Sequence, residues 1–155
     1  MAFIRHRGKT KVMYFEGDTA KEVRNGGIVG LTDSGTVEPL GNDSLDKPLG
    51  IARRNDTVTD SSLVPVEVPV EEYTEWLIDL DSDGGALDSD IGQLIAVDTT
   101  GGASVNAGDS AGMRADVSDV TFPTILVTGR VSATQIIGVI AKRAGTLIPD
   151  TGTIT

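Results

Sequence analysis

The chain has 155 residues, enough for one domain with its own hydrophobic core. It contains no cysteine, which excludes a disulfide framework, a thiol nucleophile and a thiolate metal site. With 23 acids against 13 bases the formal net charge is -10, a balance that disfavours nucleic acid as the partner of the body. No apolar run reaches the roughly eighteen residues of a membrane span, and no apolar stretch follows the basic start as in a secretory signal. The expectation is a soluble protein that begins at Met1 and has no membrane partner.

Charge is uneven along the chain. Residues 1–12 hold Arg5, Arg7, Lys9 and Lys11 and no acid, so the remaining nine bases face all 23 acids. The segment reads as a basic N-terminal arm on an acidic body. Such an arm suits an anionic partner surface or an acidic patch on another copy, with Phe3 and Ile4 as alternative apolar anchors. Nucleic acid is disfavoured because no aromatic platform, helix or glycine-rich loop accompanies the bases. The only histidine, His6, lies between two arginines in the same arm, without a second member for a base–nucleophile pair or a histidine metal site.

Residues 11–16 predict a first strand, which also has the alternative of pairing with a neighbour's sheet. Asn25-Gly26-Gly27 then predicts a turn, and residues 23–31 a hairpin around it. Residues 47–53 give a short strand, and 19–24 have the composition of a single helical turn. The stretch over residues 63–97 organises the chain. Val64, Val66, Val68 and Val70 alternate with Pro65, Glu67 and Pro69, a period of two that no helix interior accommodates. Trp76, Ile78 and Leu80 continue the alternation, and an acidic glycine turn leads to a return strand over 91–97. A short helix over 71–78 is the less favoured alternative there. Trp76, a lone aromatic in a strand pattern, belongs in the core. Residues 121–131 and 135–141 predict two further strands, the most buried of the chain, and 145–155 an extended C-terminal tail.

Turn signals about every ten residues, without a convincing amphipathic helix, predict an all-β fold: a small β-barrel or β-sandwich of short glycine-punctuated strands, with extended N- and C-terminal arms. The expected organisation is an arm over 1–12, a single β-rich domain over 13–144 and a tail over 145–155.

The sharpest chemical motif is Asp79, Asp81, Asp83 and Gly84, followed by Asp88 and Asp90. Alternate carboxylates ahead of a glycine match the first half of a calcium loop, where short acids converge on one hard cation. Asp90 stands where the loop's bidentate glutamate falls, although aspartate reaches less far. A solvated acidic turn is the competing reading.

The order Gly26-Gly27-Ile28-Val29-Gly30, Lys47-Pro48-Leu49-Gly50-Ile51-Ala52, Val64-Pro65-Val66-Glu67-Val68-Pro69-Val70, Asp90-Ile91-Gly92-Gln93-Leu94, and Gly129-Arg130-Val131 ahead of Ile137-Gly138-Val139-Ile140 resembles small head decoration proteins, the capsid-stabilising cement proteins of tailed bacteriophages. The likeness runs over about residues 20–145. It implies a non-enzymatic, β-rich virion protein, made in the host cytoplasm and seated on the capsid surface. The partners it implies are the major capsid protein and the protein itself, as a homotrimer. Two alternatives stay open: another virion or surface β-module (head fibre, tail or calcium-dependent adhesion domain), in which the aspartate turn is the active feature, and a small β-barrel hydrolase or lyase.

Overall fold

A computed structural model of the chain describes residues 3–17, 22–40, 47–57, 63–71, 73–80, 85–98, 114–118 and 123–141. Strands follow one another throughout: β1 (Phe3–Arg7), β2 (Thr10–Glu16), β3 (Glu22–Val23), β4 (Ile28–Leu31), β5 (Val37–Pro39), β6 (Lys47–Ala52), β7 (Asp56–Thr57), β8 (Leu63–Pro69), β9 (Glu75–Asp79), β10 (Leu94–Asp98), β11 (Arg114–Asp116), β12 (Ile125–Ser132) and β13 (Gln135–Ile140). One 3-10 turn, Asp88–Asp90, stands between β9 and β10.

The strands build two antiparallel sheets. One has the order β1-β9-β13-β12-β10-β11, the other β2-β8-β6-β4-β5, and β3 and β7 form a separate two-stranded ladder. Single bridges link the end of β2 to β5 (Gly17 to Val37), the two edges of the five-stranded sheet, and the end of β9 to β11 (Leu80 to Ala115). The sheets are curled without closing into barrels, and the architecture is all-β and sandwich-like. The main core spans both sheets: Trp76, Ile78, Ile95, Ile125, Ile136 and Ile140 from the six-stranded sheet meet Ile28 and Ile51 from the five-stranded one. A second core of Val29, Leu49, Val64, Val66 and Val68 occupies the opposite face of the five-stranded sheet. Alternation in β8 decides this division. Its even-numbered valines enter the second core, while Glu67 shares a face with Ile51, its partner on β6.

Two prolines inside β8, a strand paired on both sides, need an explanation. The Val70 N–H donates to the Lys9 carbonyl (3.1 Å), and Arg53 N–H donates to the Pro65 carbonyl (2.9 Å). With the register Thr10–Pro69, Tyr14–Pro65, the odd residues of β2 bond to β8, and the prolines stand at positions whose backbone faces β6. β6 pairs with β8 at Ile51–Glu67 and Ala52–Val66, so neither missing N–H breaks the β2 ladder. Strands β6 and β8 also approach closely: a Cβ on Gly50 would lie 2.3 Å from the Glu67 carbonyl oxygen, a contact that only glycine permits.

Several expectations are corrected. Residues 1–12 are not an arm over most of their length, because Phe3–Arg7 is the edge strand of the six-stranded sheet and Thr10–Glu16 that of the other. Phe3 pairs with Ile78 and is 0% exposed. Burying an aromatic ring and aligning Arg7 with Glu75 outweighs leaving the segment solvated. Gly8, at φ +99, turns the chain from one sheet into the other. The return strand is also displaced. β9 pairs with β1 and β13, and β10 with β11 and β12, so two strands separate the runs expected to pair. Residues 25–26 do turn, but β3 pairs with β7 and β4 with β5 and β6, so no hairpin forms around them. Residues 75–79 are strand, and β12 and β13 form the expected late pair. The helical turn considered at 19–24 falls partly, and the tail over 145–155 wholly, outside the described residues.

Candidate interaction surface

Three of the basic residues of the N-terminal segment, Arg5, Arg7 and Lys9, are directed onto the chain's own acids. β1 runs antiparallel to β9 with Arg7 opposite Glu75, and Arg7 Nη2 donates to Glu75 Oε1 at 2.7 Å. Lys9 Nζ lies 3.4 Å from Glu71 Oε1, and Arg5 Nε lies 3.6 Å from Glu67 Oε1. Lys11 is exposed and has no ion pair among the described residues. Of the two apolar anchors, Phe3 is consumed by the core, while Ile4 stays exposed.

Glu67 forms the densest polar node. Its side chain comes from β8, at the boundary between the sheets, and the residue is 8% exposed. Arg53, just past β6, grips the carboxylate with Nε and Nη2. Thr10 Oγ1 donates to Oε1 (2.7 Å), and Arg5 Nη1 donates to that hydroxyl (3.1 Å). Arg53 also lies 5.8 Å from the Trp76 ring centroid, a cation over an aromatic face. An open groove lined by Ile4, Arg5, Asn25, Arg53 and Glu67 exposes this node. Two guanidinium groups and a hydroxyl occupy the carboxylate, so the arrangement clamps β1, β2 and β8 together and leaves no poised acid or base. Trp76 is fully buried, as its place in the alternation requires, and its Nε1 has no hydrogen-bond partner among the described residues.

In the aspartate turn, Asp81 and Asp83 lie outside the described residues. The described members have protein partners. Asp79 Oδ1 accepts from Gln135 Nε2 (3.2 Å), and Asp90 Oδ2 accepts from the Leu87 N–H (2.7 Å), fastening the 3-10 turn. Asp88 Oδ1 lies 3.4 Å from Arg130 Nη1. Among the described residues, no three His, Cys, Asp or Glu side chains are grouped to hold a metal ion.

Among the described residues, exposed large apolar side chains other than Ile4 stand in three places. Val12 and Tyr14 project from β2 on the face that carries Leu63 and Pro65 of β8, with Tyr14 at 65% exposure. Val70 and Tyr73 crown the loop after β8, where Tyr73 is the one non-glycine residue at positive φ among those described (φ 60). Leu87 and Ile91 flank the 3-10 turn, and Val131 is exposed on β12. Arg130 Nε binds the Ala86 carbonyl (2.8 Å), and the Gly92 N–H binds the Val127 carbonyl (2.8 Å), so this patch has a rigid base. Sequence reasoning missed the third patch because no strand period runs through residues 87–91. The first had a signal: Val12-Met13-Tyr14-Phe15 is apolar without alternation, which marks a strand buried on both faces or exposed on both.

A scan against protein-family models finds no match to this chain, and neither do searches of curated proteins and of solved structures.

Proposed function

We propose that the chain is a structural virion protein, a phage capsid decoration protein that binds the outer surface of the major capsid protein lattice and stabilises the head. The observation that carries this reading is the division of labour on its surface. Three of the four bases of the N-terminal segment are paired within the chain, whereas large apolar side chains stand exposed on strand and turn positions. Exposed apolar clusters rimmed by charge mark protein contact surfaces. The sequence resemblance to decoration proteins supplies the partner, and a β-rich body with an acidic surface suits a component added outside a finished shell. Leu87, Ile91 and Val131 are assigned to the capsid, since bonds between the 3-10 turn and β12 hold the turn in shape before any partner arrives.

Co-sedimentation with heads that lack the protein tests the proposal. Saturable binding that raises the temperature at which heads rupture is the expected result. Absence of binding at micromolar concentration would refute it.

A further inference from the structure

We propose that β2 is the seam of a symmetric homodimer, in which the β2 strands of two copies pair antiparallel about Met13. Strand geometry supports this seam independently of the capsid role. Because the odd residues of β2 bond to β8, the N–H and C=O groups of Thr10, Val12, Tyr14 and Glu16 point away from the sheet. Among the described residues no strand pairs with that side of β2 over 10–16. An unpaired edge with exposed Val12, Met13 and Tyr14 is a template for another strand.

Three observations select a second copy as the occupant. The first is length. Gly8 turns the chain at one end of the edge, and the bridge from Gly17 to Val37 closes it at the other. The open stretch is therefore 10–16, its midpoint is Met13, and pairing about Met13 uses all of it. The second is the lack of an equal alternative. β5 and β11 span three residues each, and on β1 the Phe3 N–H is already bonded to the Gly26 carbonyl (3.1 Å). The third is self-complementarity. A two-fold axis through Met13 sets Val12 opposite the second copy's Tyr14, a favourable β-branched–aromatic pair. It sets Thr10 opposite the second copy's Glu16 on the same face. Arg5 already donates to Thr10 Oγ1, so its guanidinium meets an exposed carboxylate that has no ion pair among the described residues. Symmetry makes this contact twice, and it locally offsets the repulsion between two bodies of net charge -10.

An isologous seam closes at two copies, whereas the resemblance to decoration proteins implies three. Sedimentation equilibrium of the full chain distinguishes them: a dimer is expected, and a trimer or a monomer persisting to about 100 μM would overturn the proposal. Register is tested by cross-linking, which is unambiguous in a chain with no cysteine. In the paired strands the Met13 residues form a non-hydrogen-bonded pair with Cα atoms about 4.5 Å apart, within disulfide range. Met13→Cys should oxidise to a covalent dimer and Val12→Cys should not; the reverse pattern would overturn the register. Tyr14→Pro removes an outward N–H that the β8 ladder does not use, so it should yield a monomer with wild-type Trp76 fluorescence. Glu16→Arg places like charges together at both ends and should weaken the dimer about tenfold or more. A Glu16→Arg dimer as tight as wild type would remove the Arg5 contact from the account.

Discussion

Removing the Glu67 carboxylate is the sharpest probe of how the sheets are joined. Glu67→Ala deletes the acceptor of Thr10 Oγ1 and of both Arg53 nitrogens, and leaves the Arg53 guanidinium over Trp76 without its counterion. Breaking a buried pair by removing one partner costs about 3–5 kcal/mol. Side-chain exposure of 22% for Arg53 and 49% for Arg5 lets water recover part of that, so the expected loss is about 2–3 kcal/mol. For a chain of this size, that lowers Tm by roughly 5–10 °C. Urea unfolding followed by Trp76 fluorescence, with calorimetry alongside, measures it. A cycle with Arg53→Met should show coupling of about 1 kcal/mol or more, because the two side chains form one network. The loss should persist at high salt, unlike that of the solvent-facing Arg7–Glu75 pair, where Arg7 is 72% exposed. A Glu67→Ala variant within about 0.5 kcal/mol of wild type, or zero coupling, would refute the clamp.

Phe3→Ala should cost about 3–5 kcal/mol, since it empties a fully buried position on an edge strand. Denaturant unfolding that shows no loss would restore residues 1–12 to the status of an arm. Lys47 Nζ donates to Asp33 Oδ1 at 2.6 Å, and that hydrogen bond, together with the lysine charge, holds the Asp33 pKa below its ordinary value. A lowered pKa makes this contribution present above the ordinary aspartate range and lost as pH falls through the lowered value. Lys47→Met should return the Asp33 titration, followed by NMR, to the ordinary range and leave stability at neutral pH nearly unchanged. Ile91→Glu, at an exposed position, should leave stability within about 0.5 kcal/mol yet weaken binding to heads about tenfold or more. Equal binding would move the capsid contact elsewhere.

Strands were legible where a single local rule decides them. Alternating valines mark β8, and β-branched runs split by a two-residue turn mark β12 and β13, because backbone period and burial agree there. Pairing was not legible, since partners are chosen by tertiary packing. Residues 91–97 look like a return strand for β9, yet β13 takes that place and buries Ile136 against Ile78. The N-terminal segment was misread for a related reason. Four bases suggest a solvated arm, but the partners of three of them, Glu67, Glu71 and Glu75, lie some 60 residues on and are recognisable only once β1 and β2 are laid against β9 and β8. Of the candidate site, Ile4 stays exposed, Phe3 goes to the core, and the exposed Leu87 and Ile91 are held in place only by the packing of the 3-10 turn on β12.

Electron microscopy of native heads tests the proposed capsid role most directly. The account predicts density for a small all-β body on the outside of the capsid, where neighbouring major capsid proteins meet, with Leu87, Ile91 and Val131 facing the lattice. Density for this chain confined to the tail or the interior of the head, or its absence from the particle, would contradict it.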